Sequence, residues 1–128
     1  MGYYFSKTLE MPFANAIEHV TAALAEKGFG VLATIDVRST LKKKLDVEFR
    51  PYTILGACNP QFAYKALQME DAIGTMLPCN VVVHEVGEGL VEVLAVDPVA
   101  SMAAVGNPAL AAIAGEVQNL LKQVVANL

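Results

Sequence analysis

The stretch that decides the fold is residues 79–96, which read CNVVVHEVGEGLVEVLAV. Two short runs, Cys79–Val86 and Leu90–Val96, consist mostly of apolar residues, which are continuous in places and alternate with polar residues in others. Such runs are typical of the strands of a sheet. The three residues between the runs, Gly-Glu-Gly, are typical of a tight hairpin turn. The sequence therefore predicts two adjacent antiparallel strands here, and a sheet that contains them.

Outside this hairpin, strand-like and helix-like segments alternate. Asn59-Pro60, Asp97-Pro98 and Asn107-Pro108 each predict a helix start, because Asn or Asp caps the first amides and proline fits the first turn. The other predicted strands are Tyr3–Thr8, Phe29–Asp36 and Tyr52–Cys58, and the other predicted helices begin at Pro12 and Ser39. The segment Phe29–Asp36 has few charges, which predicts a central position in the sheet.

The resulting order, β-α-β-α-β-α-β-β-α-α, predicts an α+β fold. We expect a single domain over residues 1–128. Its core is expected to be one five-stranded sheet, mixed or antiparallel, with helices packed mainly on one face.

The composition excludes several classes of protein. Of the 128 residues, 55% are hydrophobic and 17% are charged, which rules out intrinsic disorder. Nine Lys and Arg against thirteen Asp and Glu give a net charge of −4, which argues against nucleic-acid binding. No apolar run approaches the roughly 18 to 20 residues of a membrane span. With no signal-peptide pattern and only two cysteines, we expect a cytoplasmic protein without membrane partners.

The high apolar content also predicts self-association, since excess apolar surface on a small domain is commonly buried between subunits. The last helix carries a broad apolar stripe from Leu110 to Leu128. Such a stripe belongs either to a well-covered core helix or to a helix shared between subunits. We expect a homo-oligomer, with a homodimer as the first choice.

The two cysteines are the first candidates for chemistry. Cys58 ends a predicted strand just before the helix cap Asn59, and a helix start favours a thiolate. Cys79 opens the next strand, so the two thiols lie close together if the strands are antiparallel neighbours and a strand length apart if they are parallel. Three interpretations remain open: small buried hydrophobes, a reactive or ligand-binding Cys58, or a working pair of thiols.

Metal and cofactor patterns are weak. Cys79 and His84 are five residues apart on one strand, which places them on opposite faces of the sheet. A closed zinc site is therefore not expected, and no cofactor is predicted. A Cu(I)-type site, which needs only two or three soft ligands, stays a minor alternative.

A basic segment over residues 38–50 stands out in this acidic chain. It contains Arg38, Lys42, Lys43, Lys44 and Arg50. One interpretation is a solvated helix face paired with nearby acids or a second subunit. The other is an anion site with Arg50 as planar donor and Tyr52 and Tyr64 adding hydroxyls. The acidic residues Glu85, Glu88, Glu92 and Asp97 could receive the basic face of a second chain.

No motif identifies a reaction. The chain has no phosphate-binding glycine loop and no Gly-x-Ser-x-Gly, and its Gly28-Phe29-Gly30 precedes a strand instead of following one. A nucleophile-base-acid triad is not visible either. The sequence leaves enzyme activity undecided and favours a non-catalytic domain.

Several stretches together carry a family resemblance: TLKKKL at 40–45, FRPY at 49–52, GACNP at 56–60, LPCNVVV at 77–83 and GNP at 106–108. They resemble the signature stretches of the bacterial and archaeal "domain of unknown function 302" family, from about Phe13 to the end. The resemblance implies a compact α+β domain, often oligomeric, in cytoplasmic proteins with no assigned reaction. It implies no catalytic residue, and it draws attention to Arg50, Cys58, Asn59 and Cys79.

Three functions follow as expectations. The first is an oligomeric domain that binds a small anionic or thiol-reactive ligand near Cys58 and the basic segment. Its candidate residues are Lys42, Arg50, Tyr52, Cys58, Asn59 and Cys79. The second is thiol-dependent sulfur transfer, redox chemistry or soft-metal handling by Cys58, with or without Cys79. The third is a purely structural module that contacts subunits or partners.

Overall fold

The fold is built on one antiparallel sheet whose strands lie in the order β1-β5-β4-β3-β2. The computed structural model describes residues 2–128. The strands are β1 (Tyr4–Glu10), β2 (Gly30–Asp36), β3 (Tyr52–Cys58), β4 (Cys79–Gly87) and β5 (Leu90–Val96). The helices are α1 (Phe13–Glu26), α2 (Val37–Leu45), α3 (Pro60–Met69), α4 (Pro98–Met102) and α5 (Pro108–Ala126), with 3₁₀ turns at Asp71–Met76 and Ala103–Val105.

The predicted α+β class and element order are confirmed, and the boundaries shift by one or two residues. Helix α2 begins two residues earlier than predicted, at Val37, because the Asp36 carboxylate accepts a hydrogen bond from the Ser39 amide at 3.0 Å. Asp97 and Asn107 cap α4 and α5 in the expected way. Asn59 does not cap α3 with its side chain.

Helices α1 and α5 cover one face of the sheet and form the core with it. Val20 and Leu24 of α1 and Leu121 of α5 are fully buried there. They pack against the alternate strand residues that point to this face, which include Leu55, Ala57, Val81, Val83, Val91, Val93 and Ala95. Burial of these side chains is the main source of stability, because each buried Val or Leu contributes about 1.5–3 kcal/mol.

The position predicted for β2 was wrong. This strand is an edge strand, paired on one side with β3 only, and most of its residues are exposed. The strand has few charges because it carries apolar side chains such as Leu32 and Ile35, and these are exposed to solvent. A charge-poor edge strand is unusual, because unpaired edges are commonly protected by charges or by a partner.

The other face of the sheet, called the open face here, carries the remaining alternate residues. Successive rows across β3, β4 and β5 can be followed from the pairing: Tyr52, His84 and Glu92 form the first row. Ile54, Val82 and Leu94 form the second. The open face therefore has one polar row beside an apolar one.

Candidate functional site

The polar row of the open face contains a hydrogen-bonded chain of three side chains. Arg50 Nε donates to His84 Nδ1 at 3.1 Å, and His84 Nε2 lies 2.8 Å from Glu92 Oε1. Because Nδ1 accepts from a guanidinium, the imidazole hydrogen is on Nε2 and donates to the Glu92 carboxylate. Both ring nitrogens are therefore engaged in hydrogen bonds. In this arrangement His84 positions Arg50 and is not available as a general acid or base.

Aromatic rings hold the Arg50 guanidinium from the sides. Its central carbon lies 4.6 Å from the Phe49 ring centre and 5.6 Å from that of Tyr52, within range of cation–π attraction. The Tyr52 ring in turn packs on His84, with centroids 5.2 Å apart. Among residues 2–128 the terminal nitrogens of Arg50 have no hydrogen-bond or ion-pair partner. The guanidinium is thus anchored through Nε, while Arg50 is an exposed residue.

A concavity lies beside this arginine on the open face. Its volume is about 330 Å³. It is lined by Tyr3, Tyr4, Tyr52, Asn80, Val82, Leu94 and Val96. Tyr52 belongs both to this wall and to the ring set around Arg50, so the apolar surface and the cationic group are adjacent.

Lys42, the other basic candidate, lies elsewhere. Its ammonium contacts Asp46 and Glu48, each at 2.9 Å, and these hydrogen bonds raise its pKa. All three side chains are well exposed, so the pairs add little to stability. Lys42 therefore lies on a solvated helix face, and its charge is paired with Asp46 and Glu48.

The two cysteines lie at the opposite end of the sheet. Strands β3 and β4 are antiparallel neighbours, and Cys79 pairs with Ala57, the residue before Cys58. Both thiols line a narrow apolar cleft between this end of the sheet and helices α3 and α5. Its cavity volume is about 30 Å³, room for roughly one water molecule. The antiparallel alternative left open by the sequence is therefore the one observed.

The expectation of an activated thiolate at Cys58 is not met. Burial raises the pKa of Cys58, and burial, with a smaller contribution from Cys58, raises that of Cys79 to about 11. Desolvation opposes the charged thiolate more than the helix start favours it. Both groups are neutral thiols at neutral pH. Tyr64, predicted to supply a hydroxyl, is exposed on α3 and outside the lining of both the cleft and the concavity.

Asn59 has a structural contact that explains its missing cap. Gly28 has a φ of +85°, and a Cβ placed on it would lie 3.0 Å from Asn59 Nδ2. The Asn59 side chain thus lies against the turn that ends α1, where a residue without Cβ is required. It also lines the cleft with the two cysteines.

The candidates predicted as one site form two places. Arg50 and Tyr52 lie at the start of β3, and Cys58, Asn59 and Cys79 lie at its end. Cys58 is six positions after Tyr52 along an extended strand, which is a distance of about 20 Å. A single ligand site near Cys58 and the basic segment was therefore a wrong expectation, because a strand is extended.

Sequence reasoning missed the role of His84 and used Glu92 only as one of several acids. A signal was available: the two residues are equally distant from Glu88, the centre of the hairpin turn. Antiparallel pairing about that centre places them opposite each other, as observed. The separation of Cys79 and His84 onto opposite faces was predicted and is confirmed by their alternation along β4.

Residues 2–128 contain neither a cluster of metal ligands nor a membrane-spanning helix. There, no three His, Cys, Asp or Glu side chains are grouped so that they could hold a metal ion. In the same part of the chain, every helix is too short or too polar to cross a membrane.

The fold and its site define an α+β domain with a five-stranded antiparallel sheet, one face covered by helices and the other open around an anchored arginine. The model of the family described as "Domain of unknown function DUF302" matches residues 5–128. The chain therefore belongs to the DUF302 family, as its motifs suggested.

A solved relative agrees with this assignment. The chain is similar to the protein in the crystal structure of an uncharacterized conserved DUF302 protein from Bacillus stearothermophilus, with 28% sequence identity and a TM-score of 0.89. The match covers 98% of each chain. No curated protein matches the sequence.

Proposed function

We propose that this DUF302 chain is a non-catalytic binding domain for small molecules with an anionic group on an apolar body, and that the open face of the sheet is the site. The observation that carries the proposal is the anchored Arg50 guanidinium, held by His84 at 3.1 Å and flanked by two aromatic rings. This keeps the anionic ligand of the sequence-based expectation and moves it away from the cysteines.

Anchoring matters because a free arginine loses side-chain entropy when it binds. Ordering a long side chain costs about 0.5–1.5 kcal/mol on association. Arg50 is already ordered through its Nε, so its terminal nitrogens present two parallel donors to a carboxylate, sulfonate or phosphate. The Glu92 carboxylate engages the far side of His84 and keeps the imidazole in the tautomer that accepts from Arg50.

The neighbouring concavity supplies the apolar part of the recognition. Its lining includes three aliphatic residues, Val82, Leu94 and Val96, and three aromatic ones, Tyr3, Tyr4 and Tyr52. A volume of about 330 Å³ is within the range of small-ligand pockets, which are mostly apolar with a few convergent polar groups. A flat aromatic or aliphatic body fits this lining, and its charged end would reach Arg50 past Tyr52.

A second candidate is chemistry at the thiols, and the observation that favours it is that Cys58 and Cys79 line one cleft. Sulfur transfer, disulfide exchange or binding of a soft metal such as Cu(I) would use this pair. The raised pKa values of both thiols weigh against a nucleophilic role. Native mass spectrometry of protein purified without reductant or chelator tests it: a bound metal, an added sulfur or a two-proton loss would favour this candidate.

The anion proposal is tested with two fluorescent probes that differ in one group. 8-Anilinonaphthalene-1-sulfonate carries a sulfonate, and N-phenyl-1-naphthylamine has the same rings without it. We expect both to bind the wild-type protein. Arg50→Gln should lower the affinity for the sulfonate probe by about tenfold, because one charge-assisted contact is lost. The affinity for the neutral probe should change by no more than about twofold.

Arg38→Gln is the matched control, because it removes the same charge from the exposed surface of α2. It should leave both affinities within about twofold. Circular dichroism establishes that each variant is folded. If Arg50→Gln and Arg38→Gln bind the sulfonate probe equally well, the anion site is not at Arg50 and the proposal is wrong.

A further inference from the structure

The segment between β2 and β3, residues 37–50, projects from the end of the sheet and is called the arm here. It consists of α2 and an extended return over residues 46–50. Helix α2 has no buried residue, and β3 is the element against which it mainly packs. Leu45 is 66% exposed and Val47 is 44% exposed.

Helix α2 leaves part of its apolar surface free to contact a second molecule. Isolated helices shorter than about 12–15 residues are marginal in water, and α2 has nine. Its apolar stripe, Val37, Leu41 and Leu45, is spaced for packing against a surface. The exposed apolar residues of the edge strand β2 continue this unpartnered surface.

A complementary surface lies at the same end of the molecule. The β4–β5 hairpin turns there, since Tyr52 at the base of the arm pairs with His84 close to the turn. The hairpin exposes Val86 at 49% and Leu90 at 37%, beside the acidic residues Glu85 and Glu88. It therefore offers apolar and negative groups where the arm offers apolar and positive ones.

The charge of the chain is divided in the same way. The arm has five Lys and Arg against two Asp and Glu, a net charge of +3. The rest of the chain has four Lys and Arg against eleven Asp and Glu, a net charge of −7. An acidic polymer such as DNA would be repelled by the body, whereas a second copy brings a negative hairpin to the positive arm.

We infer that two copies of this chain form a dimer in which the arm of each lies on the β4–β5 hairpin of the other. Arm and hairpin are at one end of the sheet, so a single two-fold rotation makes both contacts at once. Lys44 lies three residues after Leu41 on the same side of α2, and in the inferred dimer it pairs with Glu88 of the partner subunit. This contact lies at the sheet end, outside the lining of the concavity proposed for the ligand, and it shares with that ligand site only Arg50, the last residue of the arm. The dimer therefore goes beyond the ligand proposal.

Sedimentation equilibrium over a range of protein concentrations tests the inference. The wild-type chain should sediment as a dimer at micromolar concentration. Leu45→Glu should raise the dimer dissociation constant by tenfold or more, roughly 1.4 kcal/mol or above. Leu67→Glu is the matched control, because Leu67 is exposed on α3, far from the arm, and it should leave the dimer unchanged.

A charge swap tests the pairing itself. Lys44→Glu and Glu88→Lys should each weaken the dimer, and the double variant should recover most of the loss because the attraction is restored with opposite sign. A monomeric wild type at high micromolar concentration would overturn the dimer. A dimer that resists Leu45→Glu, or a double variant weaker than both single ones, would overturn the proposed surface.

Discussion

Arg50 Nε lies 3.1 Å from His84 Nδ1, and this hydrogen bond joins the extended segment before β3 to the polar row of the open face, next to the β4–β5 turn. Only 9% of the His84 surface is exposed. Its buried ring therefore has a fixed position and anchors the exposed guanidinium. The hydrogen bond fixes the orientation of the Arg50 cation relative to the open face.

Two single substitutions of His84, by Asn and by Gln, distinguish the roles of its two hydrogen bonds. Asn places an acceptor near the position of Nδ1, and Gln places its polar atoms near that of Nε2. We expect His84→Asn to keep the contact with Arg50 and bind the sulfonate probe within about threefold of wild type. His84→Gln should bind it about as weakly as Arg50→Gln. Fluorescence titration measures both, and equal affinities for the two amides would contradict the positioning role.

Alkylation tests the protonation state of the thiols. Since the pKa of Cys79 is raised to about 11, its thiolate is scarce at pH 7.5. We expect iodoacetamide to modify Cys79 about a hundredfold more slowly in native protein than in urea-unfolded protein at this pH, from the thiolate fractions alone. Peptide mass spectrometry measures each site separately. A native rate equal to the unfolded rate would contradict the buried, neutral thiol.

The same group predicts a loss of stability at high pH. The pKa of Cys79 is higher in the folded state than its ordinary value of 9.0, so the unfolded state releases its proton first as the pH rises. The contribution of the Cys79 thiol to the free energy of unfolding is fully present below pH 9 and is lost between pH 9 and about pH 11. The loss should be about 2–3 kcal/mol.

Urea unfolding at pH 8 and pH 11 measures this difference. Cys79→Ala removes the titrating group and should flatten this part of the pH profile, while Cys58→Ala, at a half-buried position, should leave most of it. Equal pH dependence in wild type and Cys79→Ala would show that another group is responsible.

Gly56 is the position in the sheet where a methyl group has no room. A Cβ there would lie 2.8 Å from Pro78 Cγ and 3.3 Å from Ala33 Cβ, on the open face beside the cleft. Gly56→Ala should lower the free energy of unfolding by about 1–3 kcal/mol through overpacking. Gly30→Ala is the control in the neighbouring strand, where nothing lies within 4 Å. Chemical denaturation measures both, and an unchanged midpoint for Gly56→Ala would show that Pro78 and Ala33 yield easily.

Much of the fold could be predicted because local rules act over a few residues. The hairpin at 79–96 follows from alternation and a glycine turn, and the starts of α4 and α5 follow from caps that the structure shows as hydrogen bonds. The position of β2 could not be predicted in this way. Its apolar residues indicate a covered strand, but whether the cover comes from the same chain or from elsewhere is not a local property.

The candidate site was predictable only in parts. The importance of Arg50 was evident from the basic segment, and that of the cysteines from their places at strand ends. Their separation could not be predicted from charge and motif, because it depends on the length of the extended strand β3 between them. The reversed pKa shift of Cys58 depends on burial by α3 and α5, which no stretch of sequence near Cys58 reveals.

The sequence by itself determined the α+β class, the order of the elements and the opposite faces of Cys79 and His84, because these depend on periodicity and chain direction. Only the tertiary structure decided which side chains meet. It joined Arg50, His84 and Glu92, which are up to 42 positions apart, and it placed Cys58 beside Cys79 while keeping both far from Arg50. Contacts of this kind depend on strand order and on the packing of helices, which are set by the burial of the whole apolar surface and by no single segment.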